Sequence, residues 1–380
     1  MSKILFLTTA HNYNDDRIFF HQAQELLTKG FDVKICSLYS EFEGVIDGIE
    51  IESFNLLKGS SAVKITKLYE FCNSYEPDCI ICSEPITVIA AGKYRKKKSV
   101  SIVYDITEWY PSMSMLQDYN VLLKFIQGIK FLVIQLFAGF LSTHFIFGEE
   151  TKKFPLAYFF PFKEKLILPY YPDEKFIHEN RKELTENEIT LCYTGAISKD
   201  KGVGNFFEAI DRLQKRNSDL KINILIVGSP RTKSDDLYFS NLLSQYSFDN
   251  IAIRKPSSFE KFTDTFADAD ICFDLREFNF ENHHSLPIKL FYYMGAGKPV
   301  IYSDLKGIRK HLDSFDFGFL VNPQSSEAIA EHIEKYLKSP ELYQRHAENA
   351  VKEFQEKYSW KIIKKSFVNF IQNSLPKTAR

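Results

Sequence analysis

The chain has 380 residues, against the ~100–200 usual for one domain, so two domains are expected. Hydrophobic residues make up 44% and charged residues 26%, which excludes a disordered, collagen-like or coiled-coil chain. With 48 Lys and Arg against 49 Asp and Glu the net charge is −1, so no basic field marks a nucleic-acid partner.

Short β-rich apolar runs alternate with helical stretches, the pattern of α/β domains built on parallel sheets. KILFLTT at 3–9 reads as a buried strand, and its apolar part is too short for a signal peptide. The spacing of Ile18, Phe19, Ala23, Leu26 and Leu27 predicts a helix over 16–29 closed by Gly30. Asp15 or Asp16 would cap its start. Strands follow at 31–38, 79–83, 101–106 and 144–148, with helices at about 61–75, 86–97 and 117–142. Cys79 and Cys82 face opposite sides of a strand, which disfavours a shared metal or a bridge. No second pair stands at zinc spacing, so the six cysteines read as buried thiols in a reducing compartment.

Pro161, Pro169 and Pro172 break the periodicity around 160–176 and place a linker there. A second α/β run follows, with strands at 189–195, 222–228, 251–255, 270–275, 298–303 and 317–321. Its helices are expected at 202–216, 233–246, 287–296, about 325–338 and 340–357, with a last amphipathic helix at 360–375. The resulting division is 1–168, 169–358 and a closing helix over 359–380.

Two doubly wound sheets in tandem leave a cleft, and ligands of such folds bind at the carboxyl ends of the strands. The first strand runs into TTAHNYNDDR without the glycines of a dinucleotide fingerprint. The spacing of Gly195 and Gly202 fits neither that motif nor a Walker A loop, which argues against a nicotinamide enzyme or a P-loop kinase. In NHHSLPIKLFYYMGAGKPVIYSD (282–304), Pro287 opens a helix whose first-turn N–H groups, with Lys289, suit a phosphate or diphosphate. An ordinary helix with a solvated Lys289 is the alternative. Arg17 follows a strand end and can pair with a phosphate or with a carboxylate across the cleft. Asp105 and Glu108 flank another strand end, where a carboxylate in hydrogen-bond reach serves as a general base; Asp105 reads as structural.

KYRKKK (93–98) places five basic residues in six positions, and the apolar stretch 121–141 carries Lys124 and Lys130. Together they suit docking on an anionic leaflet; a solvated helix end and a packed core helix are the alternatives. The longest apolar run, 131–141, falls short of the ~20 residues needed to span a bilayer. The expected location is the cytoplasm, with peripheral contact at the inner face of the membrane.

SLPIKLFYYMGAGKPVI (285–301) resembles the donor-site helix of GT-B glycosyltransferases of family 4. Other stretches resemble the same enzymes in the same order: 11–33, VYDITEWYP (103–111), LPYYPDEKF (168–176), YTGAISKDKGVGNFFEAI (193–210) and YSWKIIKKSF (358–367). The resemblance implies a GT-B fold, two Rossmann-like domains facing across a cleft, the first for the acceptor and the second for the donor. It implies that the closing helix crosses back to the first domain. The implied activity moves a sugar from a nucleotide-diphosphate sugar to a hydroxyl of a polysaccharide or lipid-linked oligosaccharide, with retention and without a metal. By position, Lys201 matches the diphosphate lysine and would act in catalysis. Lys289 with the backbone of Pro287 and Ile288 matches the helix-start phosphate site, and Gly195 the glycine that admits the donor. Glu108, catalytic and sugar-contacting, His11 and Arg17 would stand on the acceptor side. Four positions depart from the family pattern: Ala196 replaces an arginine, Thr107 a histidine, and His284 and Tyr292 a pair of carboxylates. Glu277 or Glu281 would then hold the ribose, or both are solvated loop residues. The departures leave two other readings open, a catalytically degenerate sugar-nucleotide binder or partner of an active transferase, and a GT-B-shaped epimerase.

Overall fold

A computed structural model describes residues 1–117 and 119–376. The chain divides into two compact units, residues 1–170 together with those from Ile363 onward, and Tyr171–Ile362.

In the first unit the strands are β1 (Lys3–Thr8), β2 (Asp32–Ser37), β3 (Phe42–Ile46), β4 (Ile49–Ser53), β5 (Cys79–Cys82), β6 (Ser101–Ile106), β7 (His144–Phe147) and β8 (Lys165–Ile167). They lie in the order β3-β4-β2-β1-β5-β6-β7-β8. All pairs are parallel except β3 with β4. β5 and β6 are buried at every residue, as strands covered by helices on both faces must be. The hairpin β3–β4 lies in a stretch for which no element was predicted. Its loop is Asp47-Gly48, with φ of 48° and 83°, the two positive angles that a tight hairpin turn requires. β8 falls inside the predicted linker. The helix expected over 16–29 is present, but Asp16–Ala23 is wound as a π-helix before Gln24–Thr28 turns α-helical. The Asp15 side chain caps it, accepting from the N–H groups of Arg17 and Ile18.

The second unit contains β9 (Glu188–Ile197), β10 (Lys221–Pro230), β11 (Asn250–Arg254), β12 (Ile271–Asp274), β13 (Val300–Ser303) and β14 (Gly318–Val321), all parallel, in the order β11-β10-β9-β12-β13-β14. Helices Val203–Arg216 and Ser326–Lys338 cover one face through Phe206, Phe207, Ile210, Ile329 and Ile333. The last helix, Trp360–Ser374, begins in this unit, and from Ile363 it belongs to the first. There Phe367 and Ile371 are fully buried, Lys364 reaches Glu25 at 3.1 Å, and the Ser101 hydroxyl donates to the Ser374 carbonyl. All six cysteines are buried and unbridged.

Each sheet reverses its winding once. In the first unit the chain goes from β1 outward to β2 and then returns to the other side of β1 with β5; in the second, β9 and β12 play these parts. At such a point the flanking loops part and leave a crevice at the carboxyl ends of the strands.

Candidate functional site

In the second unit, the reversal point gathers a set of charged side chains. β9 ends in Thr194, Gly195 and Ala196, with Gly195 at φ 110°. A methyl group on Gly195 would come within 2.9 Å of the Lys289 ammonium, so a side chain here would collide with that lysine. The helix containing Lys289 runs Lys289–Gly295, two residues later than predicted, and Leu290 N–H closes its first turn on the Pro287 carbonyl at 3.1 Å. Pro287 is buried and Ile288 is 40% exposed. Lys289 is not a solvated helix-start lysine. Its ammonium donates to the Thr194 carbonyl and stands 3.4 Å from the Asp274 carboxylate.

Asp274 ends β12, the strand beside β9, and is buried. Arg276 grips it with two bonds, Nε at 2.7 Å and Nη2 at 2.6 Å, and reaches the Ser285 hydroxyl at 3.2 Å. Burial works against the Asp274 charge, yet Arg276 and Lys289 outweigh it and hold the carboxyl well below the usual range. The Lys289 pKa is lowered, first by burial, which Asp274 opposes and the charges of Arg276 and Lys201 reinforce.

Lys201 comes from the loop after β9. Its ammonium donates to Asn282 Oδ1 at 3.0 Å and pairs with Asp200 at 3.0 Å. The buried Asn282 turns its amide back to the Asp200 side chain and the Glu277 carbonyl. The loop is held from below by the Tyr193 hydroxyl, which donates toward the carbonyls of Ala196 and Lys201. Gly202, at φ 78°, ends it so close to β12 that a methyl would lie 1.8 Å from the Leu275 carbonyl oxygen. Three cations and two carboxylates thus form one charged network, with the Lys289 ammonium against the bare Gly195, an arrangement suited to an anion. The structure therefore brings Gly195, Lys201 and Lys289 together, with Pro287 and Ile288 leading into the Lys289 turn. Sequence reasoning missed Asp274, Arg276 and Asn282. For Asp274 and Arg276 the signal was D-L-R at the end of a buried strand, because a charged pair there is seldom idle.

At the two substituted carboxylate positions, Tyr292 is buried edge-on to Phe262 at 5.2 Å, and His284 Nδ1 bonds the Phe280 carbonyl at 2.8 Å. Glu277 and Glu281 are both partly exposed.

In the first unit the reversal point is organised by Glu84, which sequence reasoning also missed. It follows β5 and forms a reciprocal cap with Thr87 at the head of the helix Pro85–Arg95. Its carboxylate accepts from the Thr8 hydroxyl at 2.8 Å and from the N–H groups of Thr9 and Ala10 at 3.0 Å. This fixes the loop that presents His11. Burial disfavours a charged His11, but the Asp15 carboxylate at 3.0 Å, helped by Glu84 and Glu108, raises its pKa to about 9. Glu108 is exposed and near enough for its charge to act on that ring.

Arg17 needs a correction. Its guanidinium is engaged within its own unit. It is buried in a two-bond pair with Asp105 at 2.9 and 2.8 Å, and a third bond reaches the Leu168 carbonyl at 3.1 Å. Gln22 adds a third bond to the Asp105 carboxylate at 2.8 Å. The physical reason is the π-helical first turn, which turns Arg17 inward onto the end of β6. Among the described residues, no three His, Cys, Asp or Glu side chains are grouped to hold a metal.

Residues 174–353 match the family model described as "Glycosyl transferases group 1". The chain is 28% identical over 179 residues to alpha-D-kanosaminyltransferase of Streptomyces kanamyceticus, covering 47% of this chain and 44% of that enzyme. The chain thus spans less than half the length of the curated relatives it matches. Among solved structures, sucrose-phosphate synthase of Thermosynechococcus elongatus superposes with a TM-score of 0.75 at 15% identity, covering 98% of this chain and 99% of that one. HepE of Anabaena, solved with UDP-glucose, gives 0.70 at 12% identity, covering 98% of this chain and all of that one. The second unit thus resembles group 1 glycosyl transferases over residues 174–353, and the two units have the GT-B fold of these solved structures.

Proposed function

We propose that the protein is a family-4-like glycosyltransferase that moves a sugar from a nucleotide-diphosphate sugar to an acceptor hydroxyl, with retention and without a metal. The observation that carries this is the convergence of Lys201, Lys289 and Gly195 at the reversal point of the second sheet. When the glycosidic bond breaks, negative charge grows on the diphosphate. Fixed cations placed where that charge develops lower the barrier more than they strengthen ground-state binding. Lys289 is suited to this role, since its charge is costly where it stands and an arriving diphosphate relieves the cost. Lys201 is more exposed and closes on the diphosphate from the loop side. Arg276 offers its bonds to Asp274 and Ser285, and so acts as a positioning residue that holds the carboxylate against which Lys289 is oriented.

In the first unit, His11 and Glu108 form the polar edge offered to an acceptor. His11, held charged, donates to a sugar hydroxyl, and Glu108 accepts the proton of the attacking one. The acceptor class best suited is a polysaccharide or lipid-linked oligosaccharide, met on the cytoplasmic side where nucleotide sugars are available.

The test is calorimetric titration of UDP, GDP, ADP and CMP and their sugar conjugates into wild type and Lys289→Ala, followed by turnover in EDTA. One base family should bind wild type, and the lysine variant should lose it. Lys201→Ala and Lys289→Ala should each lower turnover by roughly ten- to a thousandfold. Undiminished turnover in both variants overturns the donor site. No binding of any nucleotide to the folded protein leaves the degenerate-partner reading standing.

A further inference from the structure

The helix Val121–Leu141 does not fit the role of a soluble crossover. It has 21 residues and a mean hydropathy of 1.8, long and apolar enough to cross a membrane by length and composition. The 131–141 run understated it, because Lys124 and Lys130 interrupt the pattern without ending the helix. Yet only Gln135, Ala138 and Gly139 are buried in its unit. Val121 is 87% exposed, Leu122 70% and Phe125 69%. A helix apolar on every side belongs in a core or against lipid, and this one is not in the core.

A second segment extends the same face. Leu156 and Phe160 close over Gly139, where an added methyl would meet them at 2.6 and 2.7 Å. That contact seats residues 154–162 beside the carboxyl end of the helix and leaves Phe154, Tyr158, Phe159 and Phe162 exposed, the last completely. Fourteen large apolar side chains between Val121 and Phe162 are exposed. At roughly 100 Å² each they exceed several-fold the ~300–600 Å² patch of an ordinary monomer.

The helix lies along its unit and does not pass through a bilayer. Its ends join β6 and β7, which pair in parallel with Val103 opposite His144. The chain leading into it folds back along its side, with Tyr110 edge-on to Phe131 at 5.4 Å. Its charges select the occupant. The helix carries two lysines and no acidic residue. Arg95 reaches the Leu141 carbonyl at 3.3 Å, and Lys163 bonds the Phe140 carbonyl at 3.0 Å, so cations from two other segments collect at the same end. Of the basic run, Lys97 and Lys98 turn the other way, toward the Tyr69 ring and Glu76. Two copies meeting through this face would bring lysines toward lysines, whereas an anionic leaflet supplies the opposite charge and accepts the rings.

We propose that Val121–Leu141 and residues 154–162 form one docking face that lies in the headgroup boundary of an anionic membrane, with Phe125 and Phe162 inserted. The full chain should co-sediment with phosphatidylglycerol–phosphatidylcholine vesicles and bind pure phosphatidylcholine less. Phe125→Glu with Phe162→Glu should lower partitioning roughly tenfold or more. Both side chains are exposed, so the melting temperature and nucleotide affinity of the variant should match wild type; this separates the docking face from the donor site. No vesicle binding by wild type overturns the proposal, as does undiminished binding by the variant. Equal binding to both vesicle types overturns its electrostatic part. A lipid-free dimer that the variant dissociates assigns the face to a second copy instead.

Discussion

Arg17 can be tested for a structural role without any knowledge of substrate. Arg17→Ala leaves the Asp105 carboxylate, 3% exposed, with the Gln22 amide alone among the partners described above. Breaking a buried pair from one side costs about 3–5 kcal/mol, because the remaining charge has lost its water and its partner. At roughly 2–4 °C per kcal/mol for a domain of this size, melting should fall by about 6–20 °C. Scanning calorimetry of the full chain measures it. Removing both charges by Arg17→Met with Asp105→Leu should recover most of the loss, since a well-packed apolar pair has no desolvation cost. Nucleotide affinity, which the proposed donor site assigns to the second unit, should stay at the wild-type value in every variant. If Arg17→Ala melts like wild type while transfer collapses, the guanidinium contacts substrate and the structural reasoning fails.

Two further predictions concern the loops at the reversal points. Gly202→Ala forces a methyl toward the Leu275 carbonyl at a positive φ; it should cost roughly 1–3 kcal/mol from backbone strain alone and weaken nucleotide binding, because Lys201 and Arg276 adjoin the collision. Gly204→Ala, two residues on, presses on the hydroxyl at the far end of the Tyr238 side chain at 2.2 Å, not on backbone, and gains about 1 kcal/mol of helix propensity, so similar melting of the two variants would refute the close approach. In the other unit, NMR titration of the His11 ring should show a pKa near about 9 that falls toward 6.5 in Asp15→Asn. A folded pKa above the unfolded one stabilises fully below pH 6.5 and loses that contribution as pH rises through about 9; a ring that still titrates near 9 without Asp15 would exclude the pair as its cause.

Most of the architecture was legible because parallel strands buried on both faces must be nearly continuous apolar runs, and the sequence has few others. The exceptions have identifiable causes. β3 and β4 read FEGVI and IEIES, with alternating exposure and, in β4, charges at alternate positions, so a search for apolar runs passed over them. The Asp47-Gly48 turn between them was a usable signal. β8 is three residues long and flanked by the prolines that marked a linker, so its strand character comes from pairing with β7 and not from its own pattern. Gly195, Lys201 and Lys289 were singled out because they match motifs of the resembled family; Asp274, Arg276, Asn282 and Glu84 were not singled out. The contacts of Glu84 and Asn282 run to residues distant in sequence, such as Glu84 holding Thr8 from 76 positions away, and no local spacing encodes that, whereas Asp274 and Arg276 pair two residues apart at the end of β12.

The substitution at Ala196 shows how a site keeps its charge while losing a motif residue. In the sequence, an alanine where the resembled family carries arginine removes one cation from the end of β9. In the fold, β12 lies against β9, so the end of either strand reaches the same crevice. Arg276 enters from β12, two residues beyond Asp274, and restores a guanidinium to the neighbourhood. It does so indirectly. Two of its nitrogens are taken by Asp274 and a third by Ser285, and Asp274 in turn stands 3.4 Å from the Lys289 ammonium. The cation left facing Gly195 is therefore Lys289, held by a carboxylate whose ionisation Arg276 secures. A motif scan counts residues at fixed offsets, whereas an arriving anion responds to the summed field of groups within a few ångströms. By that measure the loss at position 196 and the gain at position 276 belong to one site.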